Sequence, residues 1–143
     1  MDWKITEVEF DKLLKHCPFL DFESSYVGDV CPMTPLVETN ILSPILEYRL
    51  GPIEICDAGF FGFNNVGMHT DNIFDSGFKT LAIFIDGVGS LQYFKDKDDY
   101  KKVQISDLHV RPKSLVIFDQ NLPHSFSLGY EEKGCVALLA GIK

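Results

Sequence analysis

The rhythm of residues 53–142 constrains the fold most: short apolar runs of a few residues each, divided by turn signals. Ile53-Glu54-Ile55-Cys56-Asp57 alternates apolar and polar side chains, as a strand with one wet face does. Lys79 to Ile85 is a nearly continuous apolar run and reads as a buried strand. Asp86-Gly87-Val88-Gly89 has the composition of a hairpin turn, with Leu91 to Phe94 as the return strand. Val103–Ile105, Leu115–Phe118, Ser125–Leu128 and Cys135–Ile142 read as further strands, and Arg111–Ser114 and Gly129–Gly134 as turns. Many short strands at regular spacing suit a β-sandwich or jelly roll. Twelve phenylalanines in 143 residues ask for a large enclosed interior and favour the same class.

The first 52 residues read differently. Thr6 and Glu9 have capping-box spacing, and Phe10, Leu13, Leu14 and Cys17 then fall on one helical face until Pro18 stops the helix. A second short helix is expected near Ser43–Leu50, with Ser43 as N-cap and Pro44 in the first helical position. The remainder is irregular, punctuated by Pro18, Pro32, Pro35 and Pro52. No repeat or linker divides the chain, so one domain is expected over 1–143: residues 1–52 as support and 53–142 as the β-core. The fold expected is mainly β, a jelly roll with one or two N-terminal helices packed on it.

The net charge of −8 disfavours nucleic acid and anionic membrane surfaces as partners. Only two arginines, Arg49 and Arg111, are present, few for a nucleic-acid groove. Cys17, Cys31, Cys56 and Cys135 are scattered without a CxxC pair, and the opening MDWKITEVEF has neither a secretory nor a transit pattern. No apolar run is long enough to span a membrane. A cytoplasmic protein with reduced thiols is therefore expected. Lys95–Lys102 reads as a solvated charged loop.

Within GMHTDN, His69 and Asp71 stand two positions apart. On an extended segment residues i and i+2 share a face, so an imidazole and a carboxylate converge as two ligands of one metal should. Taken alone, the tripeptide is also an ordinary polar turn. The other histidines are His16, His109 and His124, and His124 is the best third ligand. It follows the buried run Leu115–Phe118 and starts the next strand, with room for about four strands between it and Asp71. Two imidazoles and one carboxylate form the facial triad of non-haem Fe(II) oxygenases, which leaves one face of the metal open. Zinc could use the same ligands.

The order of HTD, strand–turn–strand, VRPKSLVIFDQNLPHSF and then a basic residue resembles the Fe(II)- and 2-oxoglutarate-dependent oxygenases, prolyl-hydroxylase-like in motif order. The resemblance covers roughly residues 53–142. It implies a double-stranded β-helix, with His69, Asp71 and His124 as catalytic iron ligands and 2-oxoglutarate as cosubstrate. It implies hydroxylation of a C–H bond in a peptide or small molecule with O2, releasing succinate and CO2. It also asks for a basic residue after the distal histidine to pair with the far carboxylate of 2-oxoglutarate. Lys133 takes that place; Lys79 and Arg111 are rivals, and Tyr93 could donate its hydroxyl to the same carboxylate. The chain departs from the common Arg-x-Ser pattern, reading Lys133-Gly134-Cys135. Lysine offers a point charge rather than a fork, and cysteine is a weak donor. Phe60, Phe61, Phe63 and Phe74 flank the HTD segment as core or as a dry wall around substrate. The alternatives are a cupin-like metal enzyme, disfavoured because no HxH occurs, and a metal-free jelly-roll binding or assembly module.

Overall fold

The computed structural model describes residues 3–15, 31–32, 39–70, 77–94, 104–130, 132 and 134–143. His16, Cys17, Pro18, Asp71, Phe74, the loop Lys95–Lys102 and Lys133 lie outside the described residues. The strands are β1 (Trp3–Lys4), β2 (Cys31–Pro32), β3 (Ile55–Phe63), β4 (Val66–His69), β5 (Lys79–Asp86), β6 (Gly89–Phe94), β7 (Gln104–Val110), β8 (Ser114–Phe118), β9 (His124–Leu128) and β10 (Cys135–Ile142). The helices are α1 (Glu7–Leu14) and α2 (Thr39–Leu50). Neither is long and apolar enough to cross a membrane.

The strands form two antiparallel sheets, β1-β8-β5-β10-β3-β2 and β4-β9-β6-β7. From β3 to β10 every connection except β6–β7 passes from one sheet to the other. This is the mainly β jelly roll expected, and its strand exchange is that of a double-stranded β-helix.

The larger sheet is buried on both faces, which is why its strands read as unbroken apolar runs. Leu81, Ile83 and Ile85 of β5 join Leu115, Val136, Leu138 and Phe60 in a core with Leu13 of α1 and Leu42, Ile45 and Leu46 of α2. The alternate residues Ala82, Phe84, Val116, Cys135 and Ala137 meet Leu91, Tyr93 and Phe126 of the smaller sheet. The period-two alternation thus sorts one set of strands into two cores.

Five local expectations are corrected. Asp86–Gly89 is a turn but no hairpin: β5 already has β8 and β10 on its two edges, so the chain crosses to β9 and β7 as β6. Gly87 makes that turn at φ +91, where an added Cβ would lie 2.5 Å from the Gly134 carbonyl oxygen. The second helix starts at Thr39 rather than Ser43, with Pro44 inside it on the exposed side. Burial of Leu42, one turn before Ile45 and Leu46, continues the apolar face backwards past the proline. Leu14 is 42 % exposed, so the buried side of α1 narrows to Leu13 and part-buried Phe10. Finally, the strand expected to end at Asp57 runs on to Phe63. Asp57 and Ala58 both stand opposite Ala140, and Asp57 takes φ 51, so a one-residue bulge interrupts the pleat. Of the short strand expected at Val103–Ile105, Val103 lies outside the described residues, and Gln104 and Ile105 begin the longer β7.

The expected capping box of α1 is present. Glu9 N–H donates to Thr6 Oγ1 at 3.2 Å, and Thr6 N–H donates to Glu9 Oε1 at 2.8 Å. The same carboxylate accepts two bonds from Arg49 of α2, Nη2 to Oε1 at 2.6 Å and Nη1 to Oε2 at 2.9 Å. That fork locks the two helices together. It also holds the Glu9 carboxyl down to about 2, against the opposing effect of burial.

Candidate metal centre

His69 closes β4 and His124 opens β9, and the two are register partners across the ladder. Their ring centroids are 4.4 Å apart at an interplanar angle of 57°. His124 is buried at 4 % exposure and His69 is half-buried. Between Val66, opposite Phe126, and His69, opposite His124, β4 holds one residue more than β9. Strict alternation would send Val66 and His69 to opposite faces. The bulge at Gly67–Met68 removes that conflict, and both residues line the same cavity.

Each ring is oriented by the same device. His69 Nδ1 lies 2.7 Å from the Gly67 carbonyl oxygen, and His124 Nδ1 lies 2.7 Å from the Leu122 carbonyl oxygen. A carbonyl only accepts, so Nδ1 carries the proton in each neutral ring and Nε2 carries the lone pair. Metal-ligating imidazoles are held in this way. The Leu122 carbonyl is itself placed by a tight turn, in which Leu122 N–H donates to the Asp119 carbonyl at 3.0 Å and Asn121 N–H to Asp119 Oδ1 at 2.9 Å.

Below the pair lies a cavity of about 180 Å³. Its wall is Phe61, Phe63, Val66, Ala82, Phe84, Leu91, Phe118, Phe126 and Leu139, with His69, His124 and Ser125 as its polar members. Phe63 and Phe126 meet edge to face with centroids 4.8 Å apart, and Phe118 lies 4.9 Å from His124. The cavity reaches Phe63, whose register partner is Cys135 at the start of β10. Burial pushes the Cys135 thiol up, helped by the carboxylates of Asp86 and Glu132.

The structure therefore brings His69 and His124 together. Asp71 and Lys133 lie outside the described residues, and among those described no group of three metal-ligating side chains gathers. Tyr93 is the register partner of His124 on β6, buried, with ring centroids 6.5 Å apart, but it does not line the cavity. Neither rival cation lines it either. Lys79 is exposed, and Arg111 follows Val110, which pairs with Gly89 at the end of β6 remote from Tyr93. Phe61 and Phe63 are cavity wall, whereas Phe60 is helix-side core. Phe118, Phe84 and Phe126 were not anticipated as wall. Their signal was the alternation within β5, β8 and β9, and using it needed the knowledge of which face turns inward.

No protein-family model and no curated protein sequence matches the chain. Among solved structures, the chain resembles the ribosomal oxygenase YcfD from Escherichia coli in complex with cobalt and succinic acid. That match has 14 % identity and a TM-score of 0.50, covering 73 % of this chain and 26 % of that one. It also resembles iron(II) HppE in complex with substrate, at 8 % identity and a TM-score of 0.45 over 58 % of this chain and 40 % of that one. The coconut allergen cocosin matches at 19 % identity and a TM-score of 0.44, over 69 % of this chain and 23 % of that one. The chain thus spans about a quarter of the length of YcfD. These likenesses are likenesses of fold.

Proposed function

We propose that the chain is a non-haem Fe(II)- and 2-oxoglutarate-dependent oxygenase that hydroxylates a C–H bond of a peptide or small molecule. The observation that carries this reading is the cross-strand pair His69–His124, with both Nδ1 atoms tied to carbonyls at the edge of an apolar cavity. His69, Asp71 and His124 would hold the metal. The donor set fits Fe(II), since two neutral imidazoles and one carboxylate leave coordination positions open. Bound Fe(II) and 2-oxoglutarate supply the activation of O2 and the oxidising power for hydroxylation, with succinate and CO2 as the products of the cosubstrate.

The chain's own contribution is orientation and exclusion of water. The Gly67 and Leu122 carbonyls fix the tautomers and turn both rings to one side. The cavity has room for a five-carbon diacid, and its phenylalanines would enclose the methylene chain. Lys133 is the proposed partner of the far carboxylate. The cavity runs toward the start of β10, where Cys135, Ala137 and Leu139 supply the inward-facing residues. Tyr93, the register partner of His124, is proposed as a second donor to the far carboxylate of 2-oxoglutarate through its hydroxyl.

The test is the visible spectrum of the protein with Fe(II) and 2-oxoglutarate under anaerobic conditions. A weak charge-transfer band is expected, absent in His124→Ala and weakened in Lys133→Ala. If Fe(II) raises the melting temperature but no band forms, 2-oxoglutarate is not the cosubstrate and a cupin-like metal enzyme is the better reading.

A further inference from the structure

A second cavity, of about 300 Å³, lies where the sandwich is open, between the β1–β8 edge of the larger sheet and the β7 edge of the smaller one. Its wall is Trp3, Lys4, His109, Arg111, Ser114 and Val116. Val110 pairs with Gly89, while His124 pairs with Tyr93 four positions along β6, so this cavity is at the end of the barrel away from the histidine pair. It shares no lining residue with the cavity described above.

We propose that this pocket binds a small organic anion with a flat apolar body. Two cationic side chains, Lys4 and Arg111, line it together with the imidazole of His109, and none of its described lining residues is acidic. Three other cations are engaged elsewhere: Arg49 pairs with Glu9, Lys113 with Glu7, and Lys143 lies over the Phe78 ring. In a chain of net charge −8 the concentration of positive charge at one wall is a local feature, and it acts at contact range. Trp3 and Val116 add an apolar surface, and an indole favours a planar partner.

The basic groups stand on a rigid frame. Arg111 N–H donates to Ser114 Oγ at 3.1 Å and Ser114 N–H to the Arg111 carbonyl at 2.9 Å, which closes the turn that presents the guanidinium. His109 Nδ1 lies 2.9 Å from Ser90 Oγ, which fixes its ring. Lys4, His109 and Arg111 are exposed at the rim, so the fixed turn places the backbone of Arg111 while the cationic ends remain open to solvent and to a ligand.

Trp3 is the only tryptophan, so intrinsic fluorescence reports on this pocket. The full chain, free of metal, is titrated with 4-nitrobenzoate and, in parallel, with neutral 4-nitrobenzamide. Saturable quenching by the anion is expected. Its affinity should fall about tenfold in Arg111→Gln and in Lys4→Gln, the loss usual for one charged contact, and should stay unchanged in His124→Ala. Two substitutions guard against misfolding of either one, and circular dichroism checks both. Unsaturated quenching that is equal for the two probes would overturn the proposal. So would unchanged affinity in both pocket variants, or loss of binding in His124→Ala, which would assign the anion to the histidine cavity. Because His124→Ala is included, failure of the oxygenase reading leaves this result intact.

Discussion

His69 reaches the cavity through one extra residue in β4. The bulge at Gly67–Met68 is what lets Val66 and His69 share a face. The nearness of His69 to His124 was legible in the sequence, as the pairing that a shared metal would need. The bulge was not, because nothing local distinguishes Val66-Gly67-Met68-His69 from a regular strand. The tautomers were likewise invisible, since they depend on carbonyls whose direction only the folded turn sets. A second residue matters for sterics alone. An added Cβ at Gly89 would lie 2.4 Å from Phe126 Cζ and 2.5 Å from the Ser127 carbonyl oxygen. The ring can shift, but the backbone oxygen belongs to the β6–β9 ladder and cannot. Gly89→Ala should therefore destabilise the fold by about 2 kcal/mol, as overpacking does, read from the urea midpoint. An unchanged midpoint would mean that β6 and β9 approach less closely.

At the scale of elements, the helix pair offers a pH-dependent prediction. Glu9 has its carboxyl held to about 2 in the folded chain, chiefly by the Arg49 hydrogen bonds, against an ordinary value of 4.5. A depressed carboxylate stabilises the fold above its unfolded value, and that contribution is lost as pH falls from 4.5 toward 2. Both side chains are mostly buried, at 10 % and 19 % exposure, yet water still screens the rim. A contribution of about 1–2 kcal/mol is expected, smaller than the full shift implies. Urea unfolding of wild type and Arg49→Met across that range should show the acid-side slope reduced in the variant. Equal slopes would place the pair's effect elsewhere. The capping box was readable because it is a three-residue signal. The partner of the turn Asp86–Gly89 was not, because the sheet a strand joins depends on which edges are already taken. Pro44 misled for a related reason: its preference for a first helical position was outweighed by the burial of Leu42.

Over the whole molecule, the two sheets divide labour. The larger sheet carries the helix-side core on one face and the interior on the other, so it is the rigid wall. The smaller sheet brings His69, His124 and Tyr93 into one cross-strand row, β4–β9–β6, at one end of the barrel. In the proposed centre His69 and His124, with Asp71, hold one metal ion. The most direct test of that centre is thermal unfolding with and without Mn(II), a redox-inert stand-in for Fe(II). At a hundredfold excess over the dissociation constant, linkage gives about 2.7 kcal/mol, or roughly 5–10 °C for a chain of this size. That rise is expected in wild type and its loss in each of His69→Ala, Asp71→Ala and His124→Ala. An unchanged melting temperature in wild type, or a rise that survives all three substitutions, would contradict the proposed centre.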